Sequence, residues 1–229
     1  MASYSRTGLD SRSLAGVAVF GALAVVLTSI SQALGLNFPV IPYLQFDLGE
    51  IAILLAFFIF GPIPALAAAF IEFATLMAIG VNVAFFGPEL KLIAILSSLL
   101  GLWIGLAVVR RLKRPTVGNA IGLGAVLGMT IRAVAMTVPN YLIIIYLYGL
   151  SGIIGYVSGG FKDVGIALSD SNALLLILAM TGVFNALQFA FVSVVSYGIV
   201  SLPQVQNTRA AGRRLWILNY LQSKDQQVT

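Results

Sequence analysis

Long apolar segments separated by short polar ones are the feature that most constrains how this chain can fold. Residues 90–109, for example, contain a single charged side chain, that of Lys91. Of the 229 residues, 59% are hydrophobic and only 9% are charged, whereas a soluble globular protein has about 25% charged residues. A fold of this length cannot hide so much apolar surface from water. The sequence therefore predicts an all-α membrane protein.

Six apolar segments are predicted to cross the membrane and to form a single compact bundle. Because a span needs about 20 residues, the second segment is short and the fifth is long. The sequence GPIP at Gly61 to Pro64 predicts a tight turn between the second and third spans. The six predicted spans are Ser13–Ser31, Leu48–Phe60, Ile63–Gly80, Leu90–Val109, Val117–Tyr148 and Asn172–Ser201.

The distribution of basic residues predicts the orientation of these spans. Ten of the thirteen lysines and arginines fall in three short polar segments, around Arg12, at Arg110 to Arg114 and between Arg209 and Lys224. Cytoplasmic loops of membrane proteins are enriched in such residues, and an even number of spans puts both termini on one side. We therefore predict an N-in/C-in, multi-pass protein of the cell membrane, with no nucleic acid partner. Its predicted parts are a cytoplasmic segment 1–12, a six-helix transmembrane domain 13–201 and a cytoplasmic tail 202–229.

Several kinds of chemistry are excluded by what the sequence lacks. It contains no cysteine and no histidine, which removes disulfides, thiolate metal sites and imidazole catalysis. It also lacks GxxxxGK[ST], the nucleotide-phosphate motif, and the hydrolase motifs GxSxG and HExxH. We therefore predict that the protein is not an enzyme and holds no metal and no permanently bound cofactor.

Two charged residues lie deep within the predicted spans, where such residues are costly and mark function. Glu72 is in the third span and Arg132 in the fifth, at depths that an arginine side chain can bridge. We predict that they form an ion pair. The pair would either clamp two helices together or serve in substrate contact or proton coupling.

The first span carries small residues on one side. Ala18 and Ala22 are four residues apart, and Ala15 precedes them by one turn. Small residues at this spacing let another helix approach closely within a membrane. This ridge is predicted either to pack within the bundle or to dock on another subunit.

Amide side chains mark the far half of the fifth and sixth spans. Asn140 follows a proline, with Met136 one turn before it and Tyr141 after it, while Asn185 and Gln188 share a face of the sixth span. Amides, aromatic rings and a methionine together suit a flat, uncharged heteroaromatic ligand. The alternative is that the amides only link neighbouring helices.

Four stretches of the chain, in this order and spacing, resemble the riboflavin-type substrate-binding (S) component of energy-coupling factor (ECF) transporters. The similarity covers roughly residues 13–200. The stretches are PYLQFDLGEIAILLAFFIFGP, GPELKLIAILSSLLGLWIG, GMTIRAVAMTVPNYLIIIYLYG and FNALQ.

The resemblance implies a membrane subunit that captures a vitamin, with riboflavin as the first choice, at the outer face. It further implies docking, through the ridge at Ala18 and Ala22, on a transmembrane coupling (T) subunit that two cytoplasmic ATPases drive. Asn140 and Asn185 match ligand-binding positions, and the apolar loop after the first span would wall the site. The complete set of predicted ligand-binding residues is Tyr43, Leu44, Phe46, Asp47, Met136, Asn140, Tyr141, Asn185 and Gln188.

Three alternatives follow from the residues themselves. Gln188 stands where the family usually has a lysine, so a related vitamin is an alternative ligand. A stand-alone secondary carrier would use Glu72 and Arg132 as its coupling site. A purely structural membrane protein would bind no small molecule.

Overall fold

The computed structural model describes residues 10–80, 86–112, 116–206 and 215–222. These ranges are helical except for turns, the loops between helices and one antiparallel bridge between Asn37 and Gln45. A π-helical turn, Ile143–Tyr148, directly continues α5. The helices are α1 Ser11–Ala33, α2 Gly49–Phe60, α3 Pro62–Ala78, α4 Gly87–Val109, α5 Val117–Leu142, α6 Leu150–Asp163, α7 Ala173–Ser201, α8 Pro203–Gln206 and α9 Trp216–Gln222.

Within the described ranges, four helical segments are long and apolar enough to cross a membrane, so the chain is a multi-pass membrane protein. They are α1, α4, α5 with its π-helical turn, and α7. The other two predicted spans are helical at the predicted positions, but α2 has 12 residues and α3 has 17. Six spans and the N-in/C-in topology therefore stay predictions. Much of the basic sequence on which that topology depends, including Arg6, Lys113, Arg114 and residues 207–214, lies outside the described residues.

The shortness of α2 is explained by its central position. Nine of its twelve residues are buried, and it packs against α1, α3, α7 and α9. Its apolar side chains, such as Ile53 and Phe57, belong to the main hydrophobic core. Neighbouring helices, and not lipid, therefore surround most of α2, so α2 itself does not have to match the bilayer thickness.

The predicted turn between the second and third spans is confirmed. Gly61 has a φ of 102°, which side-chain-bearing residues rarely adopt. Pro62 begins α3 at a position where the missing N–H costs nothing. The two residues together end one helix and start the next without an intervening loop.

Helices α4 and α5 approach each other closely along paired glycines. A Cβ atom added to Gly101 would lie 2.3 Å from the Cα of Gly128, and one added to Gly105 would lie 2.3 Å from the Cα of Gly124. No real side chain fits at such distances. The backbones are therefore in direct contact, as small residues allow in membrane helices.

The predicted spans left residues 149–171 as a connection, but residues 150–163 form helix α6. Ile153, Val157 and Phe161 recur every fourth residue of this helix and are buried. They pack in a second core with Ile41 of the α1–α2 loop and Ile177 of α7. The glycines at 152, 155 and 159 have open space around them, so α6 is an amphipathic helix with a bare outer face.

Part of the predicted tail also packs on the bundle. In α9, the ring of Trp216 lies 5.6 Å from that of Phe57 and 6.1 Å from that of Trp103, measured between centroids. Tyr220 stacks on Trp216 at 4.9 Å, and the guanidinium of Arg110 lies 4.7 Å from the Tyr220 ring. An aromatic cap therefore closes the end of the bundle where α2 meets α3.

Replacing Gly101 with alanine should destabilise the protein, because the new methyl group would force α4 and α5 apart. We expect a loss of about 1–3 kcal/mol in the free energy of unfolding, as for other overpacked sites. Unfolding of the purified protein in mixed micelles, followed by circular dichroism, measures it. The control is Gly122→Ala on α5, where no atom lies within 4 Å of the added Cβ. An equal effect of both substitutions would contradict the close approach.

Candidate functional site

A cavity of about 330 Å³ lies beneath the α1–α2 loop (residues 34–48). Cavities that hold small molecules are typically about 300–1,000 Å³. Four charged side chains line it, namely Asp47, Glu50, Lys91 and Arg132. The other lining residues are Thr28, Ser31, Gln32, Asn37, Pro42, Tyr43, Leu44, Gln45, Leu76, Gly87, Pro88, Leu90, Ala94, Met136, Asn140, Tyr156, Phe184 and Asn185.

The α1–α2 loop is a packed wall, in keeping with its apolar composition. The backbone N–H of Phe38 donates to the Leu44 carbonyl at 2.7 Å, and Phe46 donates to Leu36 at 2.7 Å. The Gln45 side chain donates to the Ser31 carbonyl at the end of α1 at 2.8 Å. These bonds fold the loop back on itself and fasten it to α1.

One buried polar group, here called the lysine cluster, joins α1, the α1–α2 loop, α3 and α4. It consists of Thr28, Asp47, Glu72 and Lys91. The Lys91 ammonium donates to Glu72 Oε1 at 2.6 Å and to Thr28 Oγ1 at 2.5 Å, and it forms an ion pair with Asp47. The Thr28 hydroxyl lies 2.8 Å from Glu72 and 2.9 Å from Asp47. Two carboxylates thus share one ammonium.

A second group, the arginine cluster, consists of Glu50, Ser98, Arg132 and Asn185. Both terminal nitrogens of Arg132 donate to the Glu50 carboxylate, at 2.5 and 2.9 Å. The third, Nε, donates to the Asn185 amide oxygen at 3.0 Å. Such a two-pronged pair is among the stronger polar contacts, and it ties α5 to α2 and α7.

The predicted ion pair between Glu72 and Arg132 is therefore wrong. Arg132 pairs with Glu50, and Glu72 pairs with Lys91. Similar depth in the membrane was a sound criterion, but it does not say which way each side chain points around its helix. Glu50 and Lys91, at the starts of their helices, supply the partners.

Gly49 is a further requirement of this site. A Cβ atom there would lie 2.2 Å from the Thr28 hydroxyl oxygen and 2.6 Å from Glu72 Oε1. Its backbone N–H also donates to Asp47 Oδ1 at 2.6 Å. Only glycine lets the start of α2 lie directly on the lysine cluster.

Six of the nine predicted ligand-binding residues line the cavity, namely Tyr43, Leu44, Asp47, Met136, Asn140 and Asn185. Asn140 follows Pro139 within α5, and its Nδ2 donates to the Met136 carbonyl at 2.8 Å. Asn185 likewise donates to Thr181 at 2.9 Å and accepts from Arg132. The two amides are thus fixed in orientation, and Asn185 also links α7 to α5.

The other three predicted residues, Phe46, Tyr141 and Gln188, do not line the cavity. Gln188 is buried, and its amide exchanges two hydrogen bonds with the backbone of Asp47, at 2.8 and 3.3 Å. Phe46 packs edge-on against Phe184 with centroids 5.2 Å apart. Tyr141 is 41% exposed. Gln188 therefore holds the α1–α2 loop in place, while Tyr141 faces outward.

Aromatic rings form one side of the cavity. Tyr43 of the α1–α2 loop stacks on Tyr156 of α6, with centroids 6.3 Å apart. Burial raises the pKa of the Tyr43 phenol to about 12, although a hydrogen bond with Thr181 opposes the shift. Tyr43 therefore stays neutral at physiological pH. Phe184, next to Asn185, adds a third ring.

The sequence argument missed several lining residues. Tyr156 was missed because α6 was taken for a loop. Glu50 and Lys91 were visible as rare charges near the ends of apolar spans, and that rarity, which had already singled out Arg132, was the signal for them. No sequence pattern indicated that Gly87 and Pro88 of α4 approach the cavity.

Comparison of the chain with models of known protein families, with curated proteins and with solved structures gives no match.

A double-mutant cycle tests the arrangement of charges. Glu50→Gln or Arg132→Gln alone should destabilise the protein by about 3–5 kcal/mol, because each leaves a buried charge unpaired. The double variant should lose less than the sum of the two. In the matched cycle with Glu72→Gln and Arg132→Gln, we expect coupling below about 0.5 kcal/mol. Unfolding free energies measured in mixed micelles give both coupling energies. Strong coupling between Glu72 and Arg132 would contradict the observed pairing of Arg132 with Glu50.

Proposed function

We propose that this protein is the substrate-binding subunit of an ECF-type transporter that imports a vitamin. The observation that carries the proposal is the cavity under the α1–α2 loop, which Asn140 and Asn185 line. These are the two amides that the resemblance to riboflavin-type S components assigns to ligand binding. Loop and amides come from stretches far apart in the sequence, yet they border one space.

The proposed ligand is riboflavin, captured from outside the cell. A flat ring system suits a cavity bordered by Phe184, by the stacked pair Tyr43–Tyr156 and by Met136. Amides and hydroxyls on the same wall can bond the polar edge of such a ring and a polyhydroxyl chain. A related vitamin is the alternative ligand.

The proposed partners are a transmembrane coupling subunit and two cytoplasmic ATPases. Support comes from α1, whose residues Ala15, Ala18 and Ala22 are exposed. The opposite side of α1, with Gly16, Gly21 and others, packs into the bundle. The small-residue ridge is thus free to receive a helix of another subunit. A secondary carrier that couples transport through a Glu72–Arg132 pair is not supported, because Arg132 pairs with Glu50 and Glu72 pairs with Lys91.

Flavin binding by the purified protein tests the proposal. Riboflavin should bind without any ATPase subunit, and binding should quench its fluorescence. Asn140→Leu should weaken binding by about 1–3 kcal/mol, because it leaves a polar group of the ligand unpaired. The control is Thr137→Val on the same helix, whose exposed hydroxyl bonds only its own helix. Wild-type protein that fails to bind any flavin would refute the riboflavin assignment.

Docking is tested separately by Ala18→Trp. The large ring should block the close approach of another helix and abolish co-purification with the coupling subunit. Riboflavin affinity should stay unchanged, because Ala18 does not line the cavity. The comparison variant is Val134→Trp, at an exposed position of α5. If Ala18→Trp still assembles normally, the docking surface lies elsewhere.

A further inference from the structure

Acidic side chains outnumber basic ones at the cavity wall and directly behind it. Asp47, Glu50, Lys91 and Arg132 line it, and Glu72 lies buried behind Lys91, bonded to it at 2.6 Å. Three carboxyl groups thus face two cations. The second oxygen of Glu72, Oε2, is buried and has no hydrogen-bond partner among the described residues. The described surroundings of the cavity therefore carry more acidic than basic groups.

Both cations are already occupied by protein groups. The ammonium of Lys91 has three N–H donors, and these reach Asp47, Glu72 and Thr28. The guanidinium of Arg132 directs all three nitrogens at Glu50 and Asn185. In the described part of the chain, each lining cation is therefore already paired with a carboxylate.

We propose that the cavity selects the uncharged form of its ligand and rejects the phosphate ester, because the carboxylates of Asp47, Glu50 and Glu72 outnumber the two cations. A phosphate monoester brings about 1.5 to 2 negative charges at pH 7. It would meet Asp47 and Glu50 at the cavity wall, or it would have to displace one of them from its cation. A neutral ligand that carries only hydroxyl and amide groups is not repelled by these carboxylates and does not have to displace them from their cations. The inference rests on the proposed function, because it concerns which form of a flavin the site accepts.

Riboflavin and riboflavin 5′-phosphate form the natural test pair, since they share the ring and the side chain and differ only in the phosphate. Both are titrated by fluorescence quenching into the purified full chain. The phosphate ester should bind at least about tenfold more weakly, because unpaired like charges oppose binding. Equal affinity for the two would overturn this inference and leave the proposed function standing. Failure of both to bind would overturn the riboflavin assignment, and the inference with it.

Removal of a carboxylate identifies the residues responsible. Asp47→Asn should raise the affinity for the phosphate ester relative to riboflavin by at least about threefold, because one opposing charge is gone. Glu72→Gln should act in the same direction and serves as the second variant if Asp47→Asn does not fold. The control is Asp163→Asn at the exposed end of α6, outside the cavity lining. An unchanged ratio in a folded variant would overturn the assignment to these carboxylates.

Discussion

The arrangement of the bundle depends on two buried cations that meet the start of α2. Asp47, just before α2, pairs with Lys91 of α4, and Glu50, in its first turn, pairs with Arg132 of α5. In an apolar medium, breaking such a pair costs far more than it would at a surface. The short segment from Asp47 to Glu50 therefore fixes α2 against α4 and α5, and through Thr28 against α1. The α1–α2 loop and the cavity beneath it take their positions from that segment.

Much of the helical architecture was predictable, because apolar segments have clear ends. The last predicted span, Asn172–Ser201, differs from α7 by one residue at its start. The turn at Gly61 was also correct, since glycine followed by proline has few other structural uses. Helix α6 was not predicted, because it has only 14 residues and alternates apolar and polar faces, whereas the spans were recognised as long apolar segments. For this segment, the four-residue spacing of Ile153, Val157 and Phe161 indicated a helix, whereas its overall composition did not.

The pairing of polar groups was the part that sequence could not supply. Depth along a helix follows from counting residues, but the direction around its axis follows from packing with neighbours. Glu72 and Arg132 satisfy the first criterion and fail the second. The direction of the amide side chains was equally unpredictable. Gln188 bonds the backbone of Asp47 and does not line the cavity. Asn185 both bonds Arg132 and borders the cavity, so helix linkage and cavity lining are compatible roles for one amide.

The aromatic cap made by α9 has a consequence for the order of folding. Trp216 and Tyr220 cover Phe57 and Trp103, residues that leave the ribosome much earlier. Until residues 216–222 have been synthesised, the junction of α2 and α3 exposes its ring surfaces and Gly61 between the two helices. That end of the bundle is sealed after the spans have been made, in a step that follows membrane insertion. A nascent chain stalled before Trp216 would thus hold its helices in place while offering a bare aromatic surface to chaperones and proteases.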